Sequence, residues 1–208
     1  MSKKAGVISA ETRQRLLQAA ADEFTAHGFE GSSLRRICAS AGVTTGALYF
    51  FFASKDDLFR SVLSSVTEPF MAFIRAQYSL PHDFRESSFM DTAQAGYETC
   101  VLMQDFYEAH RQAADILLRN MNHPAVQDFM AEFTASSKTH FLSLISAWDA
   151  VHPRQHPVDD FALEQFVHMQ VEIMLTLATR GFSREETLEH ARILDKMLRG
   201  AFSALLAD

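Results

Sequence analysis

An all-α protein of about nine helices is what this sequence predicts, and three features carry the prediction. Prolines number five and glycines eight in 208 residues, too few for the turns that a sheet of short strands needs. Apolar residues recur at spacings of three and four along one stretch after another, the period of a helix face. Residues that start and stop helices stand at the ends of those stretches, and no stretch reads convincingly as a strand.

The first helix is expected from about Ala10 to Ala26. Leu16, Leu17, Ala20 and Phe24 share one face, Ser9 is placed to cap it, and Gly28 to stop it. The second runs from about Leu34 to Ala41, with Ser33 before it and Gly42 after it; Leu34, Ile37, Cys38 and Ala41 stand at i, i+3, i+4 and i+7. A short third helix, about Thr45 to Phe51, is capped by Thr44. The fourth opens on Ser54-Lys55-Asp56-Asp57, which reads as a capping box, and carries Leu58, Val62 and Val66 on one face. Pro69 predicts a kink or restart. Leu80-Pro81-His82-Asp83 predicts a break. A long helix from about Ser87 to His110 and a shorter one to about Met121 follow. After Asn122-His123-Pro124, a helix is expected from about Ala125 to Ala150, then a loop from Val151 to Val158 containing Pro153 and Pro157. Two last helices are separated by Arg180-Gly181-Phe182-Ser183, and Ser183-Arg184-Glu185-Glu186 reads as a second capping box.

The length suits one large domain, or a small domain followed by a larger one, with a core that needs no staples. Cys38 and Cys100 make no disulfide framework, and their apolar helical settings point to a reducing, cytoplasmic compartment. No apolar run follows Lys3 and Lys4, so no secretion signal is expected. No stretch approaches the roughly 18 apolar residues of a spanning helix, so no membrane partner is expected either. The net charge of −7 argues against wholesale nucleic-acid binding. Its distribution is uneven, however. Residues 1 to 60 carry eight basic and six acidic side chains, a net +2, and the remainder carries −9. A DNA-binding head on an acidic body has this pattern.

Ala41-Gly42-Val43-Thr44-Thr45-Gly46 joins two short helices, the arrangement of a helix-turn-helix, whose second helix can enter the major groove. The outer face of that helix holds Thr44, Thr45, Ala47, Tyr49 and Phe50. Hydroxyls at a helix N-terminus suit phosphate oxygens. Tyr49 and Lys55 can meet phosphates as well. Thr45, Ala47 and Phe50 are small or apolar enough for base edges and thymine methyls. Leu48 and Phe52, four apart, are expected to face the core.

At this point a resemblance is specific. Gly42-Val43-Thr44-Thr45-Gly46-Ala47-Leu48-Tyr49-Phe50-Phe51-Phe52, followed by Lys55, resembles the N-terminal domain of the TetR family of transcriptional repressors. Upstream, Thr12-Arg13, Phe24, His27-Gly28-Phe29 and Ser33-Leu34-Arg35 fit the same pattern. The resemblance covers roughly Ala10 to Phe70. It implies a DNA-binding domain over 10–70, with its motif at about 33–52, and a helical ligand-binding and dimerisation domain over 71–208. It puts phosphate contacts on Thr44, Tyr49 and Lys55, with Ser33 as a further candidate. Base or mixed contacts fall on Arg35, Thr45, Gly46, Ala47 and Phe50. Two positions depart from the pattern. Phe51 stands where the family usually has His or Tyr, which removes a phosphate hydrogen bond. Arg36 stands where an acidic residue is frequent, which can restore a cationic contact.

The body offers its own sign of self-association. From Phe161 to Leu177 the helix is apolar on most sides, and such a helix must be covered on most sides. Either it is the central helix of a monomer, or it shares a two-fold interface with the last helix. In the second case Phe161, Val167, Met174, Leu194, Leu198 and Leu205 are the expected interface residues. Phe and Met are abundant in the middle helices and suit either an adaptable pocket or an ordinary core. Tyr97, Gln104, Phe129, Phe133, Trp148, His168 and Glu172 are the candidate pocket residues for a small apolar or amphipathic ligand. No metal is expected: Pro153 and Pro157 deny His152 and His156 a shared helix face, and Glu164, His168 and Glu172 read as solvated pairs. No catalytic constellation and no cofactor motif is recognisable. The leading expectation is a homodimeric, ligand-responsive repressor on a palindromic double-stranded operator. An architectural DNA binder without a ligand, and an enzyme with a vestigial helix-turn-helix, are the alternatives.

Overall fold

The computed structural model describes residues 2–79 and 93–207, with side chains described from Ala10 to Ser79 and from Val101 to Ala207. Among the described residues there are nine α-helices and no strand. They are α1 (Ser2–Gly31), α2 (Leu34–Ala41), α3 (Thr45–Phe51), α4 (Lys55–Tyr78), α5 (Ala93–Ala109), α6 (Arg111–Arg119), α7 (Pro124–Asp149), α8 (Asp160–Thr179) and α9 (Arg184–Leu206). No helix among the described residues is long and apolar enough to cross a membrane.

Two expectations on helix ends are corrected. The first helix begins at Ser2, so Ser9 lies within it instead of capping it. Nothing in that segment forbids helix; Gly6 costs about 1 kcal/mol relative to Ala, less than a break requires. The fourth helix does not restart at Pro69 but runs through it to Tyr78. Pro69 removes the N–H that would bond the Ser65 carbonyl, and both residues lie on the exposed side, where water can take that carbonyl. Gly28 behaves as expected of a stop: at φ 66, ψ 177 it bends the chain, in a conformation open essentially to glycine alone. The expected start near Ser87 and the break at 80–83 lie outside the described residues.

The chain forms two compact units. The first joins the residues up to Met71 with His110–Gln127. Its core is Leu16, Ala20 and Phe24 from α1, Ile37, Cys38 and Ala41 from α2, Leu48 and Phe52 around α3, and Leu58, Phe59 and Val62 from α4. The Phe24 and Phe59 rings meet edge to face at 5.0 Å. Helix α6 packs on α1 through Ile116 and Leu117. Gln112 Nε2 donates to Asp22 Oδ1 at 2.8 Å, and Arg119 Nη1 to the Thr25 carbonyl at 3.2 Å.

The second unit, Ala72–Ala109 with the residues from Asp128 on, has its own core. Phe141, Leu144 and Ile145 of α7 meet Leu163, Phe166 and Val167 of α8 and Phe202 and Leu206 of α9. The rings of Phe141, Phe166 and Phe202 close a triangle at 4.9, 5.3 and 5.5 Å. Asp159 caps α8 by accepting from the Ala162 N–H. Ser183 and Glu186 form the expected reciprocal capping box on α9. Lys138 holds Asp160 and Glu164 at 2.8 and 2.7 Å, so Glu164 is paired across helices.

Candidate DNA interface

Helix α3 has only seven residues and would not persist alone. Tertiary contacts hold it. Gly42 takes the left-handed conformation (φ 65, ψ 38) that ends α2, and its N–H bonds the Ala39 carbonyl while the Val43 N–H bonds Cys38 O. Thr44 Oγ1 then accepts from the Ala47 N–H at 3.2 Å and opens α3. Leu48 and Phe52 sink into the core of the unit, as the sequence predicts. The opposite face is left to solvent: Thr44, Thr45, Gly46, Tyr49 and Phe50 are exposed, Phe50 at 79%. Ala47 is half-buried. Phe51 is half-buried too, edge to face with Phe50 at 5.1 Å.

Thr45 donates its hydroxyl to the buried Cys38 thiol, whose pKa is pushed up by burial and pulled back only in part by that bond. A thiol so held is a poor nucleophile. Gly46 has a plain feature: a Cβ built there would meet only Thr44 Oγ1, at 3.9 Å. Nothing within the chain requires a glycine at this position.

The basic residues divide. Arg35 is exposed on α2. Arg36 is engaged internally: its Nε donates to Glu23 Oε1 at 2.7 Å and its Nη2 to the Gly31 carbonyl at 2.7 Å. Glu23 also accepts the Ser33 N–H at 2.9 Å. The Arg36 hydrogen bond, with that of Ser33, holds the Glu23 carboxyl below the usual carboxylate range despite its burial. Ser33 sits at the N-cap of α2, but its side chain makes no capping bond; Glu23 reaches across and caps in its place. Lys55 Nζ donates to Ser32 O at 3.0 Å and lies 4.6 Å from the Phe29 ring centroid. Asp57, at the third position of α4, returns its carboxylate to the Ala53 N–H at 2.8 Å while Ser54 Oγ accepts from Asp57 N–H at 3.1 Å.

Sequence reasoning missed Glu23, a carboxylate of α1 that ties down the start of α2 through Ser33 and Arg36. Its signal is faint: an acidic residue at a half-buried position of an amphipathic helix.

In the second unit several expected positions are revised. His168 and Glu172 are exposed on the outer side of α8 and do not point into the interior, because the buried side of α8 is taken by Leu163, Phe166, Val167 and Val171. Val167, expected at a subunit interface, is 1% exposed within its own chain and belongs to the core. Leu198 and Leu205 pack partly on that core as well, and Met174 and Leu194 are half-buried. Phe161 is exposed, and other exposed apolar residues of this unit include Met169 on α8, Ile193 and Met197 on α9, Leu142 on α7 and Leu102 on α5. Gln104 donates to Glu108 on its own helix at 2.9 Å. Phe129 is half-buried, Phe133 is buried, and Trp148 packs against the core. The side chain of Tyr97 lies outside the described residues. A polar cluster was not foreseen: Tyr78 Oη and the fully buried Ser137 Oγ are hydrogen-bonded at 2.8 Å, and the Tyr78 ring stacks on His140 at 3.9 Å. Burial pushes the Tyr78 phenol above its ordinary pKa.

A short helix with a polar and aromatic outer face, fixed by a glycine turn onto a small helical core, defines a helix-turn-helix protein. Residues 16–62 match the family model described as bacterial regulatory proteins, tetR family. The HTH-type transcriptional regulator SrpR of Pseudomonas putida is 39% identical over 69 residues, 33% of this chain and 32% of that protein. The HTH-type transcriptional repressor NicS of Pseudomonas putida is 30% identical over 125 residues, 59% of this chain and 55% of that protein. The matched stretches thus span between a third and a little over half of those relatives. Among solved structures, the multidrug binding protein EbrR complexed with imidazole shares the fold, with TM-score 0.55 and 20% identity over 89% of this chain and 93% of that one. Residues 16–62 thus carry a helix-turn-helix of the tetR-family type.

Proposed function

We propose that the chain is a homodimeric transcriptional repressor acting in the cytoplasm, which binds a palindromic double-stranded operator and releases it on taking up a small apolar or amphipathic molecule. The observation that carries this reading is the division of α3: Leu48 and Phe52 inside, and Thr44, Thr45, Gly46, Tyr49 and Phe50 outside. Residues 10–70, with the motif at 33–52, are the DNA-binding part, and the remainder supplies ligand binding and dimerisation. Thr44 uses its oxygen to cap α3 and keeps its hydroxyl proton for a phosphate. An ammonium has three donors, so Lys55 can hold Ser32 O and Glu30 O and still have one for a phosphate. Arg36 is committed to Glu23 and plays the lesser part, whereas Arg35 is available on the outer side of α2. Two-fold pairing through Phe161, Met169, Ile193 and Met197 brings two copies of α3 to successive major grooves. A ligand need only prefer one conformation of the body to lower operator affinity.

Support for repression comes from NicS, named a repressor, and support for a small-molecule ligand from EbrR with its bound imidazole. The test is a gel shift with duplex DNA from the upstream region of the protein's own gene. Tyr49→Phe and Lys55→Gln should each weaken binding across sequences and flatten its salt dependence. If neither variant differs from the parent, the docking face is wrongly assigned.

A further inference from the structure

Phe29, just past the Gly28 bend, is where three parts of the first unit meet. From the turn between α6 and α7, His123 lays its ring 4.3 Å from that of Phe29 and 4.5 Å from that of Phe59. The imidazole is nearly buried, with 8% of its side chain exposed. Its Nδ1 accepts from the Ala125 N–H at 3.1 Å, which sets the ring plane and leaves the proton of the neutral ring on Nε2. Nε2 stands 3.3 Å from Asp56 Oδ1, within ion-pair range but without hydrogen-bond geometry. Asn120, in the same turn, accepts the Phe29 N–H on Oδ1 at 3.2 Å and donates Nδ2 to Ile116 O at 2.6 Å. The Phe29 ring is also the one over which Lys55 Nζ sits, at 4.6 Å.

We propose that His123 is a positioning residue for DNA binding: by fixing the Phe29 ring, it fixes the Lys55 ammonium at the start of α4. The proposal rests on the reading of Lys55 as a phosphate contact. A lysine carries a long flexible stem, and holding its ammonium in place before DNA arrives removes part of the ordering cost of binding. The Ser32 carbonyl at 3.0 Å and the Glu30 carbonyl at 3.4 Å restrain it on one side, and the Phe29 face restrains it on the other. Without the His123 ring beside it, Phe29 loses the nearest of its three aromatic neighbours, Phe24 and Phe59 being the others, and the face that Lys55 lies on is less firmly fixed. The residue lies well outside the 16–62 segment that the family model matches.

The experiment uses the full chain and duplex DNA from its own upstream region, with affinity followed by fluorescence anisotropy over a salt series and unfolding followed in parallel. His123→Asn keeps an oxygen able to accept from Ala125 N–H and deletes the ring. His123→Phe keeps the ring and deletes both nitrogens. Lys55→Gln is the reference and should flatten the slope of log K against log salt by about 0.9 per subunit, about 1.8 for a dimer. His123→Asn should recover most of that flattening, and His123→Phe should bind within about twofold of the parent with its slope intact. Combining His123→Asn with Lys55→Gln should do no more than Lys55→Gln alone. A His123→Asn protein that unfolds earlier but keeps the parent slope when folded, or a double variant whose losses add, overturns the proposal. If Lys55→Gln itself leaves the slope unchanged while the parent binds, the phosphate role of Lys55 fails, and the proposal with it.

Discussion

Gly46→Ala separates what α3 needs in order to fold from what it needs in order to bind. The added Cβ meets only Thr44 Oγ1, at 3.9 Å, an ordinary van der Waals distance. Gly46 is helical and its φ is not positive, so alanine suits the backbone. Alanine is favoured over glycine in a helix interior by about 0.5–1 kcal/mol, and by less in a first turn. The variant should therefore be as stable as the parent or slightly more so, with a melting temperature unchanged or raised by about 1–3 °C. On the proposed docking of α3, operator binding should fall by at least about tenfold, roughly 1.4 kcal/mol, because the methyl group would stand between the α3 backbone and the DNA. Thermal unfolding by circular dichroism and anisotropy with labelled duplex measure the two sides. A stable variant that binds like the parent would refute the close approach. A markedly destabilised one would refute the account of the turn itself.

Further outcomes follow from the same geometry. Leu48→Ala, at a fully buried site, should cost about 2.7–5 kcal/mol in urea unfolding and melt α3 before the rest; a loss under about 0.5 kcal/mol would mean that α3 is held by something else. Glu23→Gln should cost roughly 1.5–3 kcal/mol at pH 7, since the side chain is 10% exposed and bonded to Arg36 and Ser33. The Glu23 carboxyl has its pKa lowered on folding, so its contribution is full above the ordinary 4.5 and is lost as pH falls through the lower folded value. The gap between parent and variant should close over that range, and a gap independent of pH would contradict the assignment. Ile193→Glu with Met197→Glu should convert a dimer to monomers in sedimentation at micromolar concentration while leaving helix content intact, because both side chains face solvent in the single chain. An unchanged dimer would move the interface elsewhere.

How far the sequence could be read depends on how local each cause is. The ends of α2, the start of α3, the break after α8 and the start of α9 were legible because caps and glycines act within four residues. Leu48 and Phe52 were legible because an apolar pair four apart shares one helix face, which leaves the opposite face to solvent. The continuity of α4 through Pro69 was not, since it depends on Ser65 and Pro69 both facing solvent. Nor was the inward side of α8: a helix apolar nearly all round does not say which face is covered, so His168, Glu172 and Val167 were assigned the wrong way about. The Glu23–Arg36 pair and the His123–Phe29 contact join residues distant in sequence, and no period or cap announces such a meeting. The same holds for the packing of His110–Gln127 with the first seventy residues.

The central claim is that two copies of α3 read duplex DNA through the major groove. Chemical footprinting of this chain on its own upstream DNA tests it most directly, with guanine N7 methylation as the major-groove probe. The account predicts two protected major-groove patches related by a two-fold axis, on one face of the duplex and about 10–10.5 base pairs apart or a multiple of that. Protection confined to the minor groove, a single unpaired patch, or no protection at a concentration that shifts the DNA would contradict it.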